Sequence, residues 1–221
     1  MLGYSNKLFP RNPSVATGNE IARGAEGVLT REDFLGMRAV VKDRVRKGYR
    51  EPHLDEKLRA VRTRNEAKLL HEAKKAGVNC PVVYSVSGSE LIVSFIDGEL
   101  LRSMLRRKAA GVEKQLKLTG GELGKLHSVD VVHGDFTTAN VMVAKGIPWI
   151  IDFGLGGFAK DLEEKAVDVL LMKRSLTSSE YKEFLKGYSP YKEAKKVLGR
   201  LEEIEQRGRY VVRRMAEEGE D

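Results

Sequence analysis

His133-Gly134-Asp135-Phe136-Thr137-Thr138-Ala139-Asn140, followed by Ile151-Asp152-Phe153-Gly154, is the stretch on which the reading of this chain turns. Asp135 and Asn140 lie five apart, so one loop can aim both at a single point. There a carboxylate can accept or orient a hydroxyl proton while an amide oxygen holds a metal. Asp152 closes an apolar run and is followed by Phe153-Gly154, which suits a metal ligand at a sheet edge. Asp-x-x-x-x-Asn followed by Asp-Phe-Gly is the spacing used for metal-assisted phosphoryl transfer. The plainer alternative is a polar turn capped by Asp135, with Asp152 capping a nearby helix. The combined pattern favours the metal-assisted reading over it, and either half alone is a much weaker signal.

Upstream, Ala22-Arg23-Gly24-Ala25-Glu26-Gly27 keeps the second and third glycines of a G-x-G-x-x-G loop, with Ala22 in place of the first. Glycine lets backbone N–H groups approach phosphate oxygens without a Cβ in the way. Alone, the segment reads more often as an ordinary hairpin turn. The Walker-A pattern is absent, which excludes a P-loop NTPase. Ala39-Val40-Val41-Lys42 ends a strand-like run fifteen residues past Gly27 and fits the V-A-I-K template. The lysine's partner should be a glutamate on the following helix. Glu66 and Glu56 both qualify, and Glu66 is preferred because mid-helix backbone is held firmly.

The rest of the chain divides around these motifs. Short β-type runs are expected at 14–17, 27–30, 37–41, 81–86 and 91–96, with a long polar helix over 55–75 and Gly77 as its stop. Beyond Asp97-Gly98 the period is mostly helical, over 100–108, 113–129, 161–176, 179–186 and 191–215, with a strand pair at 141–144 and 148–152. This predicts an α+β chain of two lobes: an extension over 1–14, an N-lobe over 15–96 and a C-lobe over 97–221. The 221 residues carry 39 Lys and Arg against 32 Asp and Glu, a net charge of +7 that suits an anionic partner. Cys80 is the one cysteine, which excludes an intramolecular disulfide and a cysteine metal cluster. The four histidines lack HExxH spacing, against a zinc hydrolase. His127, Cys80 and Trp149 read as packing residues. No apolar run reaches bilayer length, and 1–14 does not read as a signal peptide, so the expected location is the cytoplasm.

Gly loop, Lys, Glu, hinge, catalytic loop and DFG occur in protein-kinase order, and the chain resembles a small atypical kinase. It is most similar to the PRPK-type kinase/ATPase subunits of the KEOPS complex, in their archaeal form. The resemblance rests on Arg23-Gly24-Ala25-Glu26, Arg64-Asn65-Glu66, the His133–Asn140 loop, Ile151–Leu155, Glu164-Lys165-Ala166-Val167-Asp168 and Arg207-Gly208-Arg209, and covers roughly 15–214. It implies a bilobal protein-kinase-like fold with ATP and Mg2+ as cofactors. Asp135 would be the catalytic carboxylate, and Asn140 and Asp152 would hold magnesium. Lys42, paired with Glu66, would meet the ATP phosphates. Ile21, Ala22, Arg23, Gly24, Ala25, Glu26, Gly27 and Val28 would cover the nucleotide, while Ser94 C=O and Ile96 N–H would meet adenine. Glu26 is electrostatically odd beside phosphates and reads equally as a solvent-pointing hairpin residue.

The implied partners are an ASKHA-fold threonylcarbamoyltransferase subunit on the C-lobe and cleft, and a small subunit on the N-lobe. The implied role is support of threonylcarbamoyladenosine formation on tRNA. Arg207, Arg209, Arg213 and Arg214 form a basic tail for which tRNA contact and a solvated helix end are both open readings. Three features depart from ordinary protein kinases. Gly134 replaces the Arg of H-R-D, no Ala-Pro-Glu follows the DFG, and only 67 residues follow Gly154. They predict a reduced C-lobe without an extended activation segment. A RIO-type kinase, an aminoglycoside-phosphotransferase-like kinase and a pseudokinase scaffold are the alternatives. The intact Asp152-Phe153-Gly154 argues against the first, and intact Lys42, Asp135, Asn140 and Asp152 against the last.

Overall fold

Strand alternation sets the N-terminal half: Ala39 and Val41 face one side of a strand, Val40 and Lys42 the other. The computed structural model describes residues 20–23 and 27–217, with side chains as far as Arg207. Strands β1 (Glu20–Arg23), β2 (Val28–Phe34), β3 (Met37–Asp43), β4 (Val83–Ser87) and β5 (Glu90–Ser94) form an antiparallel sheet in the order β1-β2-β3-β5-β4. The β2–β3 turn has positive φ at Leu35 and Gly36, matching the twist of a tight hairpin, and Asp33 accepts the Gly36 N–H. Ala39, Val41 and Ile92 make a small core on one face of the sheet.

Between β3 and β4 runs α1 (Pro52–Lys75). Glu51 caps it by accepting from His53 and Leu54 N–H, and Pro52 occupies its first turn, where no N–H is needed. Gly77, at φ +76°, follows its end. Leu69, Leu70 and Ala73 of α1 enter the main core.

The second lobe is β6 (Glu99–Leu100), α2 (Leu101–Arg106), α3 (Val112–Ser128), β7 (Val131–Val132), β8 (Val141–Ala144), β9 (Ile147–Ile150), β10 (Gly157–Phe158), α4 (Leu162–Arg174), α5 (Ser178–Tyr188) and α6 (Ala194–Glu217). Strands β6, β8 and β9 form one small sheet, and β7 with β10 another. Glycines 120 and 187 let α3 and α5 approach closely, since a Cβ on either would overlap the other helix's backbone. Leu123 and Leu126 of α3, Val169 and Met172 of α4, Phe184 and Tyr188 of α5 and Val197 of α6 fill the interior around Phe136 and Phe153. A sheet-rich lobe joined to a helical lobe is the architecture the sequence implies.

One local expectation changes. Ala22 lies inside β1, opposite Leu29, and not in a loop between strands. Gly24, Ala25 and Glu26 lie outside the described residues, as do the expected strand at 14–17 and the 1–14 extension. The two-residue strands β6, β7 and β10 have no sequence expectation of their own. No helix among the described residues is long and apolar enough to cross a membrane.

Candidate functional site

Lys42 and Arg44 are two residues apart at the end of β3, so their side chains share a face. Both are nearly buried. Glu66, in the middle of α1, serves both: Oε1 accepts from Lys42 Nζ at 2.8 Å and Oε2 from Arg44 Nη2 at 2.6 Å. Glu56 is exposed on the same helix and takes no part. Lys42 Nζ also donates to Asp152 Oδ1 at 2.6 Å, which joins the lobes through one ammonium. Burial works to lower the Lys42 pKa, but the facing carboxylates of Glu66 and Asp152 outweigh it and hold it above the usual lysine value. Asp152 is affected in the opposite sense. Partial burial favours its neutral form, and Lys42 outweighs this and holds the carboxyl below its usual range. Its φ is +64°, a left-handed conformation that Asp tolerates by local bonding, here from the Gly154 N–H at 3.2 Å.

The loop between β7 and β8 carries Asp135 and Asn140. Asn140 Nδ2 donates to Asp135 Oδ2 and to the Asp135 carbonyl, both at 2.8 Å, which leaves the amide oxygen for another donor or cation. Gly134 has φ +76°, and a Cβ there would overlap the Leu155 carbonyl, so only glycine fits between His133 and Asp135. His133 Nδ1 accepts from the Asp135 N–H at 3.3 Å and Nε2 donates to the Ile151 carbonyl at 3.0 Å, which fixes the Nε2–H tautomer. Its ring lies against Phe136 and Phe153.

Underneath is Asp168 of α4, fully buried. It accepts the His133 N–H at 2.7 Å, the Gly134 N–H at 2.9 Å and His127 Nε2 at 3.3 Å. His127 is buried too, with Nδ1 2.8 Å from the Tyr188 hydroxyl. Burial pushes the His127 pKa below its usual value, and Asp168 opposes this only in part. The bonding order is therefore Tyr188 O–H to Nδ1 and Nε2–H to Asp168. The sequence reading uses Asp168 only as part of a family string and gives Arg44 no role. The i, i+2 pairing of Lys42 and Arg44 was the available signal for Arg44.

A cavity of about 170 Å³ lies beside the charged cluster. Ile21, Leu29, Val40, Leu91 and Val93 line it from the sheet, and Met142 and Ile151 from the helical lobe. Lys42, Glu66 and Asp152 are its charged members, and Ser94, at the end of β5, and Ile96, just beyond it, also line it. A larger hollow of about 550 Å³, beside Gly124, Asp130 and Tyr191, contains none of these groups, so volume does not choose the site. Ala22 and Arg23 are exposed on β1, and Arg23 turns to Glu20. Gly27 and Val28 run beside Asp43, where a Gly27 Cβ would stand 2.6 Å from the Asp43 carbonyl oxygen. Arg207 pairs with Glu163 of α4 at 3.3 Å. The side chains of Arg209, Arg213 and Arg214 lie outside those described.

No group of three or more His, Cys, Asp or Glu suited to a metal is present among the described residues. Magnesium held jointly with phosphates needs only one or two protein oxygens. The amide oxygen of Asn140 and the second carboxylate oxygen of Asp152 fit that smaller demand.

The RIO domain model matches residues 28–170. That match corrects the expectation that an intact Asp152-Phe153-Gly154 sets the chain apart from RIO-type proteins. A KEOPS complex subunit Bud32 of Pyrococcus abyssi is 37% identical over 86% of this chain and 95% of its own length. Probable bifunctional tRNA threonylcarbamoyladenosine biosynthesis proteins of Methanobrevibacter smithii and Methanosarcina mazei are each 40% identical, over 87% and 93% of this chain. The chain spans 37% and 38% of the length of those two relatives. Among solved structures, WaaP in complex with acyl carrier protein shares the fold, with a TM-score of 0.61 over 88% of each chain at 14% identity.

Proposed function

Given that the chain belongs to the RIO-domain family and, within it, to the Bud32 subunits of the KEOPS complex, we propose that it is a Mg-ATP-dependent phosphotransferase and ATPase that supports threonylcarbamoyladenosine formation on tRNA. The observation that carries this reading is the sharing of Lys42 between Glu66 and Asp152, at 2.8 and 2.6 Å, on one wall of a cavity bordered by Ser94 and Ile96. Lys42 offers a fixed positive charge to nucleotide phosphates, with Glu66 holding it in place. The apolar walls from Leu29, Val40, Leu91 and Met142 suit adenine, with Ser94 C=O and Ile96 N–H as its hydrogen-bonding edge. Ile21 to Val28 would cover the nucleotide.

Asp135 is the carboxylate that takes the proton of the attacking hydroxyl or water. Asn140 orients it through the two bonds from Nδ2. Magnesium bound with the nucleotide would neutralise charge on the transferring phosphoryl group, held by Asn140 and Asp152. Only Leu155–Lys160 separate Gly154 from the Asp161 cap of α4, which leaves little platform for an extended peptide. This favours ATP hydrolysis or a restricted Ser/Thr acceptor, including the chain itself.

In this reading residues 1–14 are an extension, 15–96 the nucleotide-covering lobe and 97–221 the catalytic lobe. An ASKHA-fold threonylcarbamoyltransferase subunit docks on the latter and a small subunit on the former, in the cytoplasm. The basic tail, Arg207 to Arg214, is an RNA-contacting candidate.

The test is ATP turnover by wild type and Asp135→Ala, alone and with the ASKHA-fold partner and tRNA. Weak basal turnover, altered by the partner and lost in Asp135→Ala, is expected. Equal turnover in both proteins would sink the catalytic assignment.

A further inference from the structure

The stretch 44–68 holds nine Lys and Arg against four Asp and Glu, most of the chain's surplus of +7. Two of its four acids, Asp55 and Glu66, are buried, and Glu51 and Glu56 are exposed. Glu66 is buried between Lys42 and Arg44, and Glu51 is turned onto the start of α1. Asp55 is fully buried. Asp55 and Glu66 neutralise Arg50, Arg59 and Arg44 of the same stretch, so the outer face keeps the positive balance of the sequence count without exceeding it. Lys57, Arg64 and Lys68, at i, i+7 and i+11, share a side of α1 over about 16 Å. None forms an ion pair among the described residues.

Before α1 the loop over 44–51 is held in a defined shape. Asp55 accepts the Lys47 N–H at 3.3 Å and Arg59 Nε at 2.7 Å, and it lies 3.6 Å from Arg50 Nη1. Arg59 in turn donates to the Arg44 carbonyl. A buried carboxylate thus fixes a surface loop at both ends. The loop displays Tyr49, 79% exposed, with the Arg50 guanidinium 5.3 Å from its ring centre. A ring this exposed, beside a guanidinium, serves no interior packing.

We infer that the loop over 44–51 is an RNA-contacting element: an unpaired base stacks on Tyr49, while Arg46 and Lys47 and the α1 cations meet the phosphates. Stacking on an aromatic side chain accepts any base, and basic side chains track the backbone. Pre-fixing the loop removes part of the ordering cost of binding. The choice of RNA rests on the tRNA-linked function proposed above, whereas the surface rests on the geometry. Exposed Leu54 and Leu58 lie on the same helix, so an acidic protein is the rival occupant that the test must separate.

The experiment uses the full chain and three probes: an unmodified tRNA transcript, an oligouridylate and a polyglutamate peptide. Affinities are measured from 50 to 200 mM salt. Tyr49→Ala is expected to weaken oligouridylate binding by about tenfold, and Tyr49→Phe to restore it. Arg46→Ala with Lys47→Ala should lower the slope of log affinity against log salt by roughly 0.7 per cation removed. ATP turnover without RNA should be unchanged in all three variants. Unaltered RNA affinity in these variants, with loss on deleting 207–221, would overturn the inference in favour of the tail. Polyglutamate binding that is tighter than RNA binding and lost in Tyr49→Ala would overturn it in favour of an acidic protein. RNA binding through Tyr49 in a chain that turns over no ATP would leave this inference standing while the catalytic reading fails.

Discussion

Replacing Asp168 by Asn is the sharpest test of how the Asp135 loop is held. The carboxylate is fully buried and receives three donors: His133 N–H at 2.7 Å, Gly134 N–H at 2.9 Å and His127 Nε2 at 3.3 Å. Asn keeps one acceptor oxygen and turns an NH2 group toward a remaining donor. If Oδ1 is replaced, the Gly134 N–H loses its partner; if Oδ2, both His133 and His127 lose theirs. A buried donor without a partner costs about 1–3 kcal/mol. A loss of about 2–4 kcal/mol is therefore expected. For a domain of this size each kcal/mol lowers Tm by about 2–4 °C, which places the shift at about 5–15 °C. Urea unfolding should show a lower midpoint at unchanged slope. Turnover should fall more than the nucleotide affinity, because Gly134 sets the backbone of Asp135 while the cavity is lined by other residues. A stability loss below about 0.5 kcal/mol, with turnover intact, would refute this account of the loop.

His127 gives a pH signature. Burial depresses its folded pKa below the unfolded value of about 6.5, so the unfolded chain binds the proton more readily and stability falls as pH drops below that value. Urea midpoints between pH 7.5 and 5 should decline more steeply in wild type than in His127→Gln, the difference approaching 1.4 kcal/mol per pH unit at most; parallel curves would count against it. Arg44→Met should destabilise the chain by about 3–5 kcal/mol, since it leaves a buried Glu66 oxygen uncompensated, and Arg44→Lys should recover part of the loss in the same unfolding assay. Gly134→Ala combines left-handed strain with overlap against the Leu155 carbonyl, and calorimetry should report a loss above about 2 kcal/mol.

The residues that could be read in advance are those fixed by short spacing. Asp135 and Asn140 sit on one loop, Asp152 follows the next hairpin, and Lys42 ends a strand whose alternation was visible. Glu66 was separable from Glu56 by its place along α1, and the structure brings it, not Glu56, to Lys42. The strand over Val141–Ala144 also falls where the apolar run put it. What escaped depends on contacts between distant segments. Asp168 meets the loop from 34 and 35 residues away, and no local pattern encodes that meeting. Strands β7 and β10 are two residues long and pair across the DFG turn, below the length at which alternation can be seen. Ala22 looked like loop because a glycine had been expected there, yet the register opposite Leu29 places it in a strand.

Arg44 also changes how the charged cluster should be understood. Among the described residues, Lys42 and Arg44 face Glu66 and Asp152, two charges of each sign. A phosphate approaching Lys42 competes with both carboxylates for one ammonium. If Glu66 depended on Lys42 alone, that competition would leave a buried carboxylate unpaired, at a cost of several kcal/mol. Arg44 Nη2 already holds Glu66 Oε2 at 2.6 Å with both side chains nearly buried. Glu66 therefore stays neutralised when Lys42 turns toward a phosphate, and α1 has no electrostatic reason to move. The weaker link is Lys42 to Asp152, whose side chain is 53% exposed. Water and cations can replace that contact cheaply, so ligand binding should loosen the bridge between lobes before it disturbs the pair within one.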